Sequence, residues 1–270
     1  MNDTVTADTA RLPILLTELR LPTIKRLWDS IAAQSDREGW RANRLLSTLL
    51  ELESAERNQR RLQRQRNESG LPDDKRLENF DFTSLPMLSK AHVTALSEGD
   101  EWIEKGHNLL LFGPPGTGKT HLISAIGHAM LDHGWRVGFV RTSDLVQRLQ
   151  AARRDLRQPA ELAKLDRFDL LILDDFSYVR RDQAETSALF ELIAERYERK
   201  SLAITANQPF SAWDQIFPDT AMTLAAVDRL VHHATIFEMN AESFRRRTAA
   251  APGRAPERRK EKPSSEVQPH

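Results

Sequence analysis

The chain has 270 residues, 40% of them hydrophobic, which is enough for one large domain or two smaller ones around a real core. Its 39 basic and 39 acidic residues cancel to a formal net charge of +0, so bulk charge gives no argument for a nucleic-acid partner and only local clustering can. The absence of cysteine excludes disulfides, thiolate zinc sites and cysteine nucleophiles.

From the start of the chain, Met1–Arg11 is polar and lacks the basic-then-apolar pattern of a secretory signal. No apolar run approaches the length of a membrane span. The expectation is a soluble, cytoplasmic protein with no membrane partner. Residues 12–67 predict helices. Leu15 and Leu19 open the pattern, Ile24, Leu27, Trp28 and Ile31 follow at helical spacing, and Leu45, Leu46, Leu49, Leu50 and Leu52 mark one face of a longer helix. Ser69-Gly70-Leu71-Pro72-Asp73 is a breaker. From about residue 106, strands and helices alternate, with strands expected at 108–112, 136–141, 168–173, 201–205 and 234–238. Such alternation predicts an α/β fold with a mostly parallel sheet covered by helices on both faces. The expected division is a helical N-terminal domain over 1–69, a linker and entry helix over 70–105, an α/β core over 106–248 and a basic tail over 249–270 whose composition predicts disorder.

The strongest chemical signal is Gly113, Pro114, Pro115, Gly116, Thr117, Gly118, Lys119 and Thr120, which fits the P-loop pattern G-x-x-x-x-G-K-[ST] between a strand and a helix. The glycines let backbone N–H groups turn inward on phosphate oxygens, and the following helix aims its positive end at the same place. Lys119 is then expected to reach the β- and γ-phosphates and Thr120 to hold Mg²⁺. Downstream, the apolar run Leu170–Leu173 ends in Asp174-Asp175, a Walker B arrangement. Asp174 would hold Mg²⁺, and Asp175 would orient or deprotonate the attacking water. A third apolar run ends in Thr205-Ala206-Asn207, where Asn207, or second to it Thr205, would help place that water. This run does not read Asn-Lys-x-Asp, a guanine-reading pattern, so the expected cofactor is ATP with Mg²⁺.

Arg229 has two readings from spacing: an arginine acting in trans on a neighbour's γ-phosphate, or a surface arginine paired with a nearby acid. The basic groups Arg153, Arg154 and Arg157, and Arg245, Arg246 and Arg247, stand between contact with DNA phosphates and a solvated surface. Arg57–Arg66 form a third group of the same kind, and His232-His233 lacks a third metal ligand in sequence.

The order Gly113–Thr120, Asp174-Asp175, Asn207 and Asp228-Arg229-Leu230 resembles AAA+ ATPases of the helicase-loader clade. Longer stretches resemble the IstB-like ATP-binding proteins, the helpers encoded beside an insertion-sequence transposase. These stretches include Leu16 to Trp28, Asp166 to Asp175, Asp182 to Ser187, Ala206 to Phe210, Phe217 to Asp219 and Ala225 to His233. Together the resemblance spans roughly residues 12–248. It implies a RecA-like AAA+ core behind a small helical domain, with ATP between subunits and Arg229 as an arginine finger. It also implies ATP-dependent self-association on duplex DNA in the service of a transposase. Two alternatives accompany it: a DnaC-like loader of a replicative helicase, and an ATP-bound scaffold with little hydrolysis. Most AAA+ members carry Asp-Glu where this chain has Asp174-Asp175, and the shorter acid argues for slow hydrolysis. Arg245, in Ser243-Phe244-Arg245, is a candidate for the sensor arginine of a C-terminal lid.

Overall fold

The computed structural model describes residues 11–176, 183–209, 213 and 220–240. After a helical segment over 11–18, helix α1 (Pro22–Glu38) starts on the proline, whose fixed φ and missing N–H suit the first turn. It stops at Gly39, in the left-handed region at φ 63°. Its N-cap, Leu21, offers no side-chain acceptor. Instead the buried Glu53, on helix α2 (Ala42–Ser69), accepts from the Thr23 and Ile24 amides at 2.8 and 3.1 Å. A carboxylate at the positive end of a helix satisfies two orphan donors at once.

The apolar face expected on α2 is narrower than the leucine spacing implies. Leu49 packs with Leu16 and Ile24, and Leu45 joins them, but Leu46 and Leu50 are 58% and 48% exposed. α2 then leans on the core: it packs against α5 and β2, and Arg66 pairs with Asp132 at 2.6 Å.

Two 3₁₀ turns (Leu77–Asn79 and Phe82–Ser84), α3 (Lys90–Glu98) and α4 (Asp100–Glu104) lead to β1 (Asn108–Phe112). There follow α5 (Lys119–Asp132), β2 (Val137–Arg141), α6 (Thr142–Arg154), α7 (Gln158–Leu165), β3 (Leu170–Asp174), α8 (Gln183–Arg196), β4 (Ser201–Ala206), α9 (Thr220–Val231) and β5 (Ala234–Glu238). The five strands form one parallel sheet in the order β2-β3-β4-β1-β5.

Both faces of this sheet are covered, which is why its central strands read as unbroken apolar runs. Leu110 and Phe112 of β1, Leu171 and Leu173 of β3 and Leu202 and Ile204 of β4 face one core, closed by α6 to α9. Leu109 and Leu111, Leu170 and Ile172, and Ala203 face the other, closed by α3 to α5 together with Leu71, Leu85 and Leu88. The five strands stand within two residues of the expected positions. β3 runs one residue further, so Asp174 belongs to the strand itself. Among the described residues, no helix is long and apolar enough to cross a membrane.

Candidate functional site

Parallel strands bring all their C-terminal ends to one edge of the sheet. In this order β1 has β4 on one side and β3 beyond it, so the loops after β1, β3 and β4 meet there. The loop after β1 is the glycine-rich one. Gly113, Gly116 and Gly118 have φ of 150°, 86° and 93°, values a side chain rarely adopts. A Cβ on Gly113 would stand 2.4 Å from the Met239 carbonyl oxygen, so the residue directly after β5 presses on the loop. Met239 also donates its amide to Phe112 O at 2.7 Å.

Lys119, the first residue of α5, is only 5% exposed. Its ammonium donates to Gly113 O at 2.7 Å, Pro114 O at 2.9 Å and Asn207 Oδ1 at 2.8 Å. Three protons thus meet three acceptors, which makes the burial of this charge tolerable. Each of these acceptors is neutral, so an anionic phosphate is a stronger partner for the same ammonium.

Asp174 is 3% exposed. Its Oδ1 accepts from Thr120 at 2.9 Å and from Thr205 at 2.6 Å, and its Oδ2 lies 3.2 Å from the Thr120 hydroxyl. Its carbonyl accepts from Thr142 Oγ1 at 2.8 Å. Thr205 Oγ1 also accepts from the Asp175 amide at 2.9 Å, which holds the turn after β3. Asp175 itself is exposed and sits at φ 56°. Carboxylate and hydroxyl oxygens on adjacent strand and helix ends are the hard ligands Mg²⁺ prefers, and the inward-turned P-loop suits phosphate. The residues present therefore fit a magnesium–nucleotide complex.

Lys119, Thr120, Asp174, Asp175 and Asn207 come together in this one cluster. Thr205 proves to be the anchor of Asp174, whereas Asn207 is the residue that reaches the lysine. Thr142 has no motif spacing to mark it; its signal in the sequence is a threonine directly after β2, the strand beside the Walker B strand.

Arg229 is elsewhere. Asn108, the first residue of β1, donates to Leu230 O at 3.0 Å and approaches Arg229 O at 3.5 Å. The P-loop follows the other end of that strand, ~13 Å away at the usual rise per residue. The Arg229 guanidinium lies 5.2 Å from the Phe190 ring centre and donates to Ala225 O at 2.9 Å. Among the described residues its partners are a ring and a carbonyl, not an acid.

Arg153 and Arg154 are exposed in the last turn of α6, and Arg157 follows, its charge shared with Asp155 at 2.6 Å. Arg245, Arg246 and Arg247 and the tail over 249–270 lie outside the described residues.

The family described as IstB-like ATP binding protein matches residues 14–251. An insertion sequence ATP-binding protein of Sinorhizobium fredii is 64% identical over 90% of this chain and 82% of its own length. The insertion sequence IS21 ATP-binding protein of Pseudomonas aeruginosa is 34% identical over 87% of this chain and 88% of its own. Among solved structures, the DnaC helicase loader aligns with a TM-score of 0.53 at 23% identity, covering 62% of this chain and 97% of that one. The AMPPCP-bound DnaA of Aquifex aeolicus aligns at 0.53 and 20% identity, covering 63% and 51%. These two likenesses show a shared fold.

Proposed function

The chain belongs to the IstB-like ATP-binding proteins, and from that premise we propose that it is an ATP-switched, DNA-binding ATPase serving the transposase of an insertion sequence. The observation that carries the reading is the convergence of Lys119, Asn207, Thr120 and Asp174, drawn from three strand ends, on one edge of the sheet. The P-loop amides and Lys119 bind the phosphates of ATP, with Lys119 exchanging neutral partners for anionic ones. Thr120 and Asp174 hold Mg²⁺, which neutralises charge on the phosphate oxygens. Asp175 takes up or orients the proton of the attacking water, and Asn207 fixes that water's position. Asp175 is one methylene shorter than the glutamate usual at this position, so hydrolysis is slow and a bound partner accelerates it.

Arg229 serves the neighbouring subunit. It stands at the end of the sheet opposite its own P-loop, so a self-associated assembly is required to bring one to the other. Arg153, Arg154 and Arg157 contact duplex DNA phosphates, with Arg245, Arg246 and Arg247 joining them. The partner is the transposase encoded alongside. Relatives with the higher identities carry insertion-sequence names, whereas the loader likeness bears on fold alone, so the transposition reading stands ahead of helicase loading.

The test is co-sedimentation with duplex and single-stranded DNA in ATP, in ADP and without nucleotide. Retention on duplex in ATP by the natural chain, lost in Lys119→Ala together with ATP binding, is the expected result. Unchanged duplex affinity in Lys119→Ala sinks the switch, and preference for single strands moves the reading to a helicase loader.

A further inference from the structure

Helices α8 and α9 end side by side at the edge of the sheet remote from the P-loop. Each is followed by a non-glycine residue in the left-handed region: Glu198 at φ 55° and His233 at φ 62°. There the side chains of three separate segments gather. The His232 and His233 rings are 4.0 Å apart, and His107, just ahead of β1, stacks on His233 at 5.0 Å. His232 Nδ1 lies 3.5 Å from Glu198 Oε1. Among the described residues, Glu198, His232 and His233 form a group whose ligand atoms all stand within 4.8 Å of one another, and all three side chains are exposed.

We propose that Glu198, His232 and His233 bind a borderline divalent transition metal, with Zn²⁺ as the representative ion. Two imidazoles and one carboxylate with an open fourth position is a ligand set zinc takes, whereas Mg²⁺ and Ca²⁺ prefer oxygen throughout. Bonds of ~2.0–2.1 Å put neighbouring tetrahedral ligands roughly 3.4 Å apart, so the cluster must close by no more than about 1.4 Å from its 4.8 Å span. Exposed side chains make that adjustment by rotation. The surroundings favour a cation. Two helix C-termini, each with carbonyl oxygens facing outward, end here. Tyr197 Oη, 2.7 Å from His232 Nδ1, supplies the outer hydrogen bond that orients this imidazole for metal binding through Nε2.

The site is independent of the phosphate site. His232 N continues α9 by donating to Asp228 O at 3.0 Å, so the ion would tie together the ends of α8 and α9 within one turn of Arg229.

Titration of the full, tag-free chain with Co²⁺ tests this. Visible d–d absorption that saturates at one equivalent and is abolished by Zn²⁺ is expected. Glu198→Gln, isosteric and exposed, and His233→Ala should each weaken Co²⁺ binding by roughly tenfold or more, while His92→Ala, remote from the cluster, should not. Fluorescent-ATP affinity retained by the variants reports an intact fold. No d–d signal in the natural chain, or a signal that survives in both Glu198→Gln and His233→Ala, overturns the proposal.

Discussion

Asp174 is held from three directions: by Thr120 from α5, by Thr205 from β4, and through its carbonyl by Thr142. A carboxylate meant for a metal must stay oriented when buried, and hydroxyl donors hold it in place without contributing a counter-charge. Thr205→Val keeps the shape but deletes the 2.6 Å bond to Asp174 and the acceptor of the Asp175 amide. We expect a loss of about 1–3 kcal/mol in urea unfolding, and fluorescent-ATP binding that demands more Mg²⁺. Unchanged stability would mean that a water replaces the hydroxyl at no cost. Arg196 is the opposite case, a buried charge with no role in phosphate chemistry. Burial pushes its guanidinium down to about 10, so it remains protonated at neutral pH. It donates to the carbonyls of Leu165, Phe168 and Ser201 at 2.9–3.1 Å and tethers the starts of β3 and β4. Arg196→Met strands those carbonyls and should destabilise the chain by more than about 3 kcal/mol, with ATP affinity per folded molecule unchanged. Chemical denaturation beside nucleotide titration separates the two.

At the scale of elements, the N-terminal helices show most clearly what a sequence conceals. The central strands were legible because burial on both faces leaves an apolar run with polar residues only at its ends, and Asp174 and Thr205 stand at such ends. The P-loop was legible because the phosphate chemistry fixes residue types at fixed spacing. Glu53 gave no such signal. It lies mid-helix among charged residues, and the amides it caps are 29 and 30 residues away. Nor does spacing tell Leu49, which is buried, from Leu46 and Leu50, which are not, because the partner surface offered by Leu16 and Ile24 is too narrow to cover all three. Glu53→Ala leaves the Thr23 and Ile24 amides without their acceptor. The expected result is faster hydrogen exchange over Pro22–Glu38 by roughly tenfold or more, with exchange in β1, β3 and β4 unaltered. Equal protection of α1 in both proteins would show that packing alone holds the helix.

The whole molecule has a polarity set by its topology. Every strand runs the same way, so one edge of the sheet collects the residues that fit phosphate and Mg²⁺, and the other collects strand starts and helix ends. Arg229 follows from that polarity. It lies five residues before Ala234, where β1's neighbour β5 begins, is tied through Asn108 to the start of β1, and stands a strand's length from its own Lys119. No rotamer spans that distance, so if Arg229 acts on a phosphate it acts on another subunit's. Sequence spacing left this open, because spacing says nothing about which edge of the sheet a residue occupies. The consequence is a complementation experiment. Lys119→Ala keeps its arginine and loses its phosphate site, while Arg229→Ala keeps its phosphate site and loses its arginine. Each alone should hydrolyse almost no ATP, although Arg229→Ala should still bind it. Mixed in equal amounts, roughly a quarter of the subunit interfaces pair an intact site with an intact arginine, and hydrolysis should reappear in that proportion. A mixture no more active than its components would remove Arg229 from the reaction, and Arg229→Ala hydrolysing at the natural rate would do so without mixing.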